Sequence, residues 1–391
     1  MDNQELREYR TKLFRSAAIP GTPSEKIPHI SYFVTWPIFD AGYTLSQAIY
    51  NYDIMEDALT QHWNKYRFDA IFSLGSRNPM AVSRQMGATW YLIDDEAGAL
   101  NIKGYSLIEA DRLKALADNP VKVLWEECMK TKYKDTWNDK LTLDFMQKVV
   151  DENDKFNAFT MRMNIKGVKE FANPMMLDIS LGGPYSAYDF MFSNIRGIKG
   201  LSEDMRRCPE VLKEAAAALN ELNVIPSLNK IKASTYGQNP GSIFDATWGS
   251  LAHNCMSNKQ VEEFYWPMMK EYCDALDEKG KSLHIIFQGE ALRFFYLFED
   301  YKKETIVMHI ENDDIYECYN KYPNFTYFGG FPLTYMGHKS PEECVAKARE
   351  LVDFFKDKGG YIFCTDKMGS YPGDAKSENL KAVCDFMMDE Q

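Results

Sequence analysis

Between residues 281 and 380 the chain alternates short apolar runs with segments of helical spacing, a pattern that few architectures accommodate. The runs are 282–288, 305–310, 324–332 and 359–365, rich in Ile, Val, Phe and Tyr and bounded by Gly, Pro, Asn or Asp. Between the last two, the spacing in 341–358 puts Val345, Ala348, Leu351, Val352 and Phe355 on one helical stripe behind Ser340, a capping residue. Strands that alternate with helices pair in parallel and are buried on both faces. Each run also ends in residues that carry chemistry: Gln288-Gly289-Glu290, His309-Ile310-Glu311, Gly329-Gly330-Phe331-Pro332 and Cys364-Thr365-Asp366. In a barrel of such units the carboxyl ends of the strands converge on one mouth. The stretch therefore reads as the second half of a (β/α)8 barrel.

The first half fits the same plan. A strand is expected at 29–35, running into Trp36-Pro37-Ile38-Phe39-Asp40, then a helix over 45–65 and a second strand at 68–74. A short β excursion is expected over 87–107, around Trp90-Tyr91-Leu92-Ile93. Residues 109–171 are charged, helical in spacing and poor in breaks, and read as an inserted helical subdomain. The next strand is expected at 175–181 with Gly182-Gly183-Pro184-Tyr185 as its mouth loop, then a helix from Pro209, and a short strand at 242–245 before Thr247-Trp248-Gly249-Ser250. The expected fold is α/β: a (β/α)8 TIM barrel with a helical insertion, one domain over 1–391, its core spanning 27–384 and its insertion about 109–171.

A net charge of −12 argues against nucleic acid and acidic membrane surfaces as partners. The apolar runs fall far short of a membrane span, and Met1-Asp2-Asn3-Gln4-Glu5 lacks the basic and apolar regions of a secretory signal. Eight cysteines without a C-x-x-C pair point to reduced thiols in a cytoplasmic protein. The 24 Phe, 23 Tyr and 20 Met serve a core, and a pocket for an aromatic ligand would draw on the same residues.

Strand ends supply the candidate site residues. Glu290, Glu311 and Asp366 lie at or just past three of them, and His309 shares a strand face with Glu311. Asp245, Tyr185 and Tyr188 fall at two further expected mouths, and Trp36, Phe39 and Trp248 are candidates to line a ring slot. The competing reading makes the acids helix caps, the histidine a satisfied core residue and the aromatics ordinary packing. Gly182-Gly183 and Gly329-Gly330 fit neither phosphate-loop pattern.

Several segments, taken in order, resemble the uroporphyrinogen decarboxylase superfamily. They are Tyr66-Arg67-Phe68-Asp69, Gln85-Met86-Gly87-Ala88, Gly183-Pro184, Met205 with Cys208-Pro209-Glu210, and Met256-Ser257-Asn258-Lys259-Gln260-Val261-Glu262-Glu263-Phe264 with Pro267. Phe287-Gln288-Gly289, Ser340-Pro341-Glu342-Glu343, Gly359-Gly360-Tyr361-Ile362 and Ser377-Glu378-Asn379-Leu380 complete the set. The resemblance implies a (β/α)8 barrel and either of two chemistries. Decarboxylases of the family carry an Arg-rich loop after the first strand that grips tetrapyrrole carboxylates. Here that loop, 35–43, has no Arg or Lys. Thiol-directed methyltransferases of the family hold zinc on His-x-Cys-Gly and a late Cys. The matching positions here are Ile286, Gln288 and a place near Lys367, with His284 and Cys364 displaced from them.

What remains is the branch that demethylates a methoxylated aromatic, or a related small methyl donor, onto the Co(I) corrinoid of a separate carrier. Asp-x-His-x-x-Gly, a cobalamin-binding signature, does not occur, so cobalamin must come with a partner protein. Glu290, Glu311, His309 and Asp245 are the candidate catalytic residues, and Glu290, Cys318 and Cys364 form a candidate mixed oxygen–sulfur zinc site. The alternatives are methyl transfer from methylcobalamin to a pterin or thiol, porphyrinogen decarboxylation, and a non-catalytic binding barrel.

Overall fold

A computed structural model describes residues 1–72, 79–88, 91–102, 104, 106–137 and 141–391. Residues 73–74 of the expected second strand, Trp90 in the expected β excursion and 138–140 of the expected insertion lie outside the described residues.

The protein is a (β/α)8 barrel. Two parallel strands, β1 (Ile30–Ser31) and β2 (Ala70–Ile71), open the chain's sheet structure. A hairpin of β3 (Tyr91–Asp94) and β4 (Ala99–Ile102) stands outside the barrel. Then come five consecutive parallel strands: β5 (Ala246–Ser250), β6 (Leu283–Phe287), β7 (Ile306–Ile310), β8 (Thr326–Gly329) and β9 (Tyr361–Ile362). The ring closes from β9 back to β1 through parallel bridges His29–Phe363 and Phe33–Gly369. The eighth stave is the irregular segment 173–178, which pairs with the lead-in to β5 through Met175 and Ser242. Its other edge meets β2 through a side chain: the Asn173 amide accepts from Ile71 N at 2.8 Å and donates to Ile71 O. That amide completes the backbone pairing at the weakest seam.

The amino-terminal helix Asn3–Ala17, capped by Asp2 with Glu5 in a capping box, closes the base of the barrel. Its Phe14 is fully buried among Ile30, Ala70, Ile243, Val307, Phe328 and Ile362. Burial of a ring that size stabilises by roughly 2–3 kcal/mol. Outside the strands, helix Pro341–Phe355 starts at a Ser340–Glu343 capping box and buries Cys344, Ala348, Leu351, Val352 and Phe355, with Val345 only partly covered. Between residues 109 and 171 every named element is helical, ending in Leu143–Glu170.

Three sequence expectations shift. The helix expected over 45–65 is two helices, Leu45–Ile49 and Tyr52–Lys65, because the Asn51 side chain accepts from Asp53 N at 3.0 Å and caps the second. The strand expected at 175–181 breaks where Asp178 folds back to accept from Ser180 N and Ser180 Oγ. The strand expected at 242–245 lies just after that range, at Ala246–Ser250, while Ser242 makes only an isolated bridge to Met175, so residues 242–245 lead into the strand instead of ending it.

Candidate active site

Alternation along β5–β9 sorts side chains into two sets. Trp248, Ile285, Met308, Tyr327 and Tyr361 point outward and pack beneath the helices. Their neighbours point inward. Register places Gly249 beside Ile286, Ile286 beside His309, His309 beside Phe328 and Phe328 beside Ile362, so these five form one inner layer. The layer below contains Thr247, His284 and Val307.

Aromatic contacts fill the barrel's centre. The His309 ring lies 4.9 Å from Tyr32 and 5.1 Å from Phe328, and His284 lies 4.5 Å from Phe328 and stacks on Phe244 at 4.8 Å. The β5–β6 side is roomier. Gly249 is exposed, and among the described residues a Cβ built on it meets no atom within 4 Å. Ile286, at 8% exposure, borders that space.

One inward position above this layer, Glu311 is half-buried and accepts from Gly289 N. Burial raises its carboxyl's pKa and nearby Asp366 adds to the rise, while the Gly289 N–H and Lys367 oppose it. Asp366 is raised by burial as well; its side chain accepts from Leu333 N at 2.9 Å. The backbone oxygen of Asp366 lies 2.7 Å from His309 Nε2, and a carbonyl only accepts, so Nε2 carries the hydrogen. Burial holds His309 neutral, its pKa lowered to about 4. Gly329 (φ +93°) makes this junction possible: a Cβ there would stand 3.2 Å from Ile310 O and 3.3 Å from Thr365 O.

Of the expected site residues, the structure brings together His309, Glu311 and Asp366. Glu290 is exposed on the outer rim, in electrostatic contact with Arg293 and Asp313. Asp245 is at the opposite end of the barrel from the mouth, because it immediately precedes β5 instead of ending a strand. There it accepts from Ser282 N and Asn239 N and faces Arg15 at 3.7 Å. Trp36 is buried, donating to Ala375 O. Trp248 points outward, donating at 2.7 Å to Tyr265, whose hydroxyl donates to buried Asp189. Tyr188 packs on Phe264 and Tyr265 in the same outer layer. Phe39 is half-buried against the hairpin's Gly98. Tyr185 stands at the surface, accepting from Asn194 and packing on Phe190. Among the described residues none of these five aromatics makes a ring contact with His309 or Phe328 of the inner layer. Its walls are instead Tyr32, Ile286 and Phe328, which come from three other segments and reach His309 only through inter-strand register and packing.

The candidate zinc ligands do not converge. Cys318 is fully buried on helix Ile315–Lys321 in the outer core, and Cys364 is inside the barrel, donating to Thr365 O. Burial pushes both thiols up, so neither is a ready thiolate. Among the described residues no group of three His, Cys, Asp or Glu is arranged to hold a metal ion. Among the described residues, Glu290, Cys318 and Cys364 do not come together as a zinc site.

Four buried histidines set an acid limit on stability. Burial lowers His29 and His62 from 6.5 to about 3, and His253 and His309 to about 4. The unfolded chain therefore binds more protons between pH 6.5 and 4. The stability these residues contribute is complete above 6.5 and is lost as pH falls. Their combined slope is at most about 5 kcal/mol per pH unit. The raised carboxyls of Asp189, Asp313, Glu311 and Asp366 work in the opposite sense and reduce it. The thermal midpoint should drop clearly from pH 7 to 5; an unchanged midpoint by calorimetry would contradict buried neutral imidazoles.

A family model described as uroporphyrinogen decarboxylase matches residues 147–389. Among solved structures, a methyltransferase from Methanosarcina mazei has the same fold, with a TM-score of 0.60 over 96% of this chain and 98% of that one at 13% identity. No curated protein gives a significant sequence match. No helix among the described residues is long and apolar enough to cross a membrane.

Proposed function

Because the chain belongs to the uroporphyrinogen decarboxylase family, we propose that it is a methyltransferase. In this reading it moves a methyl group from a methoxylated aromatic, or a related small donor, to the Co(I) corrinoid of a separate carrier protein. The observation that carries the proposal is the character of the mouth: an aromatic and aliphatic inner wall beneath two half-buried carboxyls of raised pKa. The structural likeness to a methyltransferase is in keeping with it.

The carrier's cobalt supplies the nucleophile that takes the methyl carbon. This chain's residues have two tasks. Tyr32, Ile286 and Phe328 hold the ring by apolar contact. Glu311 then supplies a proton to the ether oxygen as its bond to the methyl carbon breaks, since the departing phenolate has a conjugate acid near pKa ~10. The Gly289 N–H occupies one Glu311 oxygen, so the proton is carried on the other. Burial keeps that proton bound closer to neutral pH than on a free carboxyl.

Porphyrinogen decarboxylation is disfavoured by loop 35–43, which has no Arg or Lys for carboxylates. In it, Asp40 is instead committed to Lys65, Tyr66 and Ser377. Thiol methylation is disfavoured because Ile286 and Gln288 stand at the zinc-ligand positions. We place the protein in the cytoplasm, where its free thiols stay reduced. Anaerobic incubation with reduced corrinoid protein and a panel of methoxybenzenes should give methyl-cobalt absorbance and free phenol only when this protein is present. Silence across the panel, with carbon dioxide released from uroporphyrinogen, would replace the proposal with the decarboxylase.

A further inference from the structure

We infer that Asn254 is a positioning residue for Glu311: its amide holds the peptide between Gln288 and Gly289 so that the Gly289 N–H meets one carboxyl oxygen. The inference rests on the reading above of Glu311 as the proton donor and adds what aims that proton.

Three strand ends are tied in succession. Asn254 lies on the turn Ala252–Cys255 that follows β5. Its Nδ2 donates to Gln288 O at 2.6 Å, just beyond the end of β6, and to Leu251 O at 3.2 Å. Both partners are carbonyls, which only accept, so the orientation of the amide is fixed. On the far side of the same peptide, Gly289 N donates to Glu311, just beyond the end of β7. A peptide is planar, so a group that holds its oxygen also sets the direction of its N–H. Gly289 (φ +97°) lets the two segments meet, because a Cβ there would stand 2.7 Å from Asn254 Oδ1.

The turn that carries Asn254 is itself anchored. Buried Asp189 accepts from Leu251 N at 2.7 Å and from Ala252 N at 2.8 Å. Ser250 Oγ lies 2.9 Å from Nδ1 of buried His253, whose ring also faces the Gln288 backbone. Arg293 donates to His253 O at 3.0 Å. Asn254 itself is exposed, so its substitution removes no core contact. While the peptide is held, one Glu311 oxygen is occupied and the proton stays on the other, as a general acid requires. Once the peptide is released, the N–H bond weakens and the ionised carboxylate loses its stabilisation.

Two readouts test this. The first is the Glu311 carboxyl titration, followed by NMR of carboxyl-labelled glutamate in the whole protein without methyl donor or carrier. Its signal is assigned by its loss in Glu311→Gln. Asn254→Ala should raise the midpoint by about 0.5 to 1, because the N–H that favours the ionised form is lost. Asp366 and Lys367, the charged groups that face Glu311, are left in place by the substitution. Asn254→Gln, which keeps the donor on a longer arm, should raise it less. The second readout is methyl-cobalt formation in a single turnover. Asn254→Ala should slow it about five- to thirtyfold and carry its falling limb to higher pH. On the Glu311→Gln background the same change should alter the residual rate by about twofold at most. Equal losses in both backgrounds would mean that Asn254 serves structure or donor binding alone, and they overturn the inference. An unmoved Glu311 midpoint also overturns it and leaves the methyl-transfer reading intact. A raised midpoint in a protein that forms no methyl-cobalt keeps Asn254 as the residue that positions Glu311 and removes the methyl-transfer reading.

Discussion

Replacing Glu311 by Gln should slow methyl-cobalt formation by about two to three orders of magnitude, the usual worth of a positioned general acid. Gln keeps the side-chain oxygen that accepts from Gly289 N, so the strand end is preserved while the transferable proton is lost. Affinity for the methyl donor should change little, which separates loss of chemistry from loss of binding. The pH profile gives a second readout. Activity requires the protonated carboxyl, so wild-type turnover should fall as pH rises through the raised Glu311 pKa. The Gln variant's residual rate should lack that limb. Single-turnover kinetics under anaerobic conditions measure both; a Gln variant within threefold of wild type would remove Glu311 from the proton transfer.

The largest expected stability effect lies away from the mouth. Arg196 and Asp204 are 3% and 2% exposed and form a two-pronged pair, Nε to Oδ2 at 2.6 Å and Nη2 to Oδ1 at 3.0 Å. The remaining Arg196 nitrogen donates to Ser106 Oγ and Ile108 O, tying residues 106–108 to helix Gly197–Arg207. Asp204→Ala leaves the buried guanidinium with, among the described residues, only exposed Glu109, 3.7 Å away, as counter-charge and should cost about 3 kcal/mol in urea unfolding. Arg196→Met combined with Asp204→Ala should cost less than the single change, because no charge remains buried. A single variant within 1 kcal/mol of wild type would mean that water reaches the pair.

Much of the fold was legible in sequence because parallel strands buried on both faces leave continuous apolar runs. The runs 282–288, 305–310 and 324–332 contain β6, β7 and β8 in full, and 359–365 contains β9. The helix from Ser340 was legible for a different reason: its capping box and stripe are local features. Continuous runs have a drawback, however, since without alternation they hide which residues face the barrel axis. Trp248 was expected in a ring slot, yet it points outward, and Gly249 beside it borders the open space. Asp245 was expected at a mouth because a strand was read as ending there; the strand instead begins at Ala246, and the carboxylate anchors the base.

The sequence by itself determined the barrel class, the acids that end its strands and the shared face of His309 and Glu311, all consequences of short-range spacing. Only the tertiary structure decided which acids meet. Glu311 and Asp366 are 55 positions apart along the chain and approach because their strands flank β8 in the same parallel sheet. It also decided that Cys318 and Cys364 lie on opposite sides of the barrel wall, so they cannot share a metal. And it decided the state of His309: burial keeps the ring neutral, and a carbonyl from β9's far end selects which nitrogen holds the hydrogen. Spacing along a chain records neighbours within an element; the contacts that set a proton's position come from elements that sequence leaves far apart.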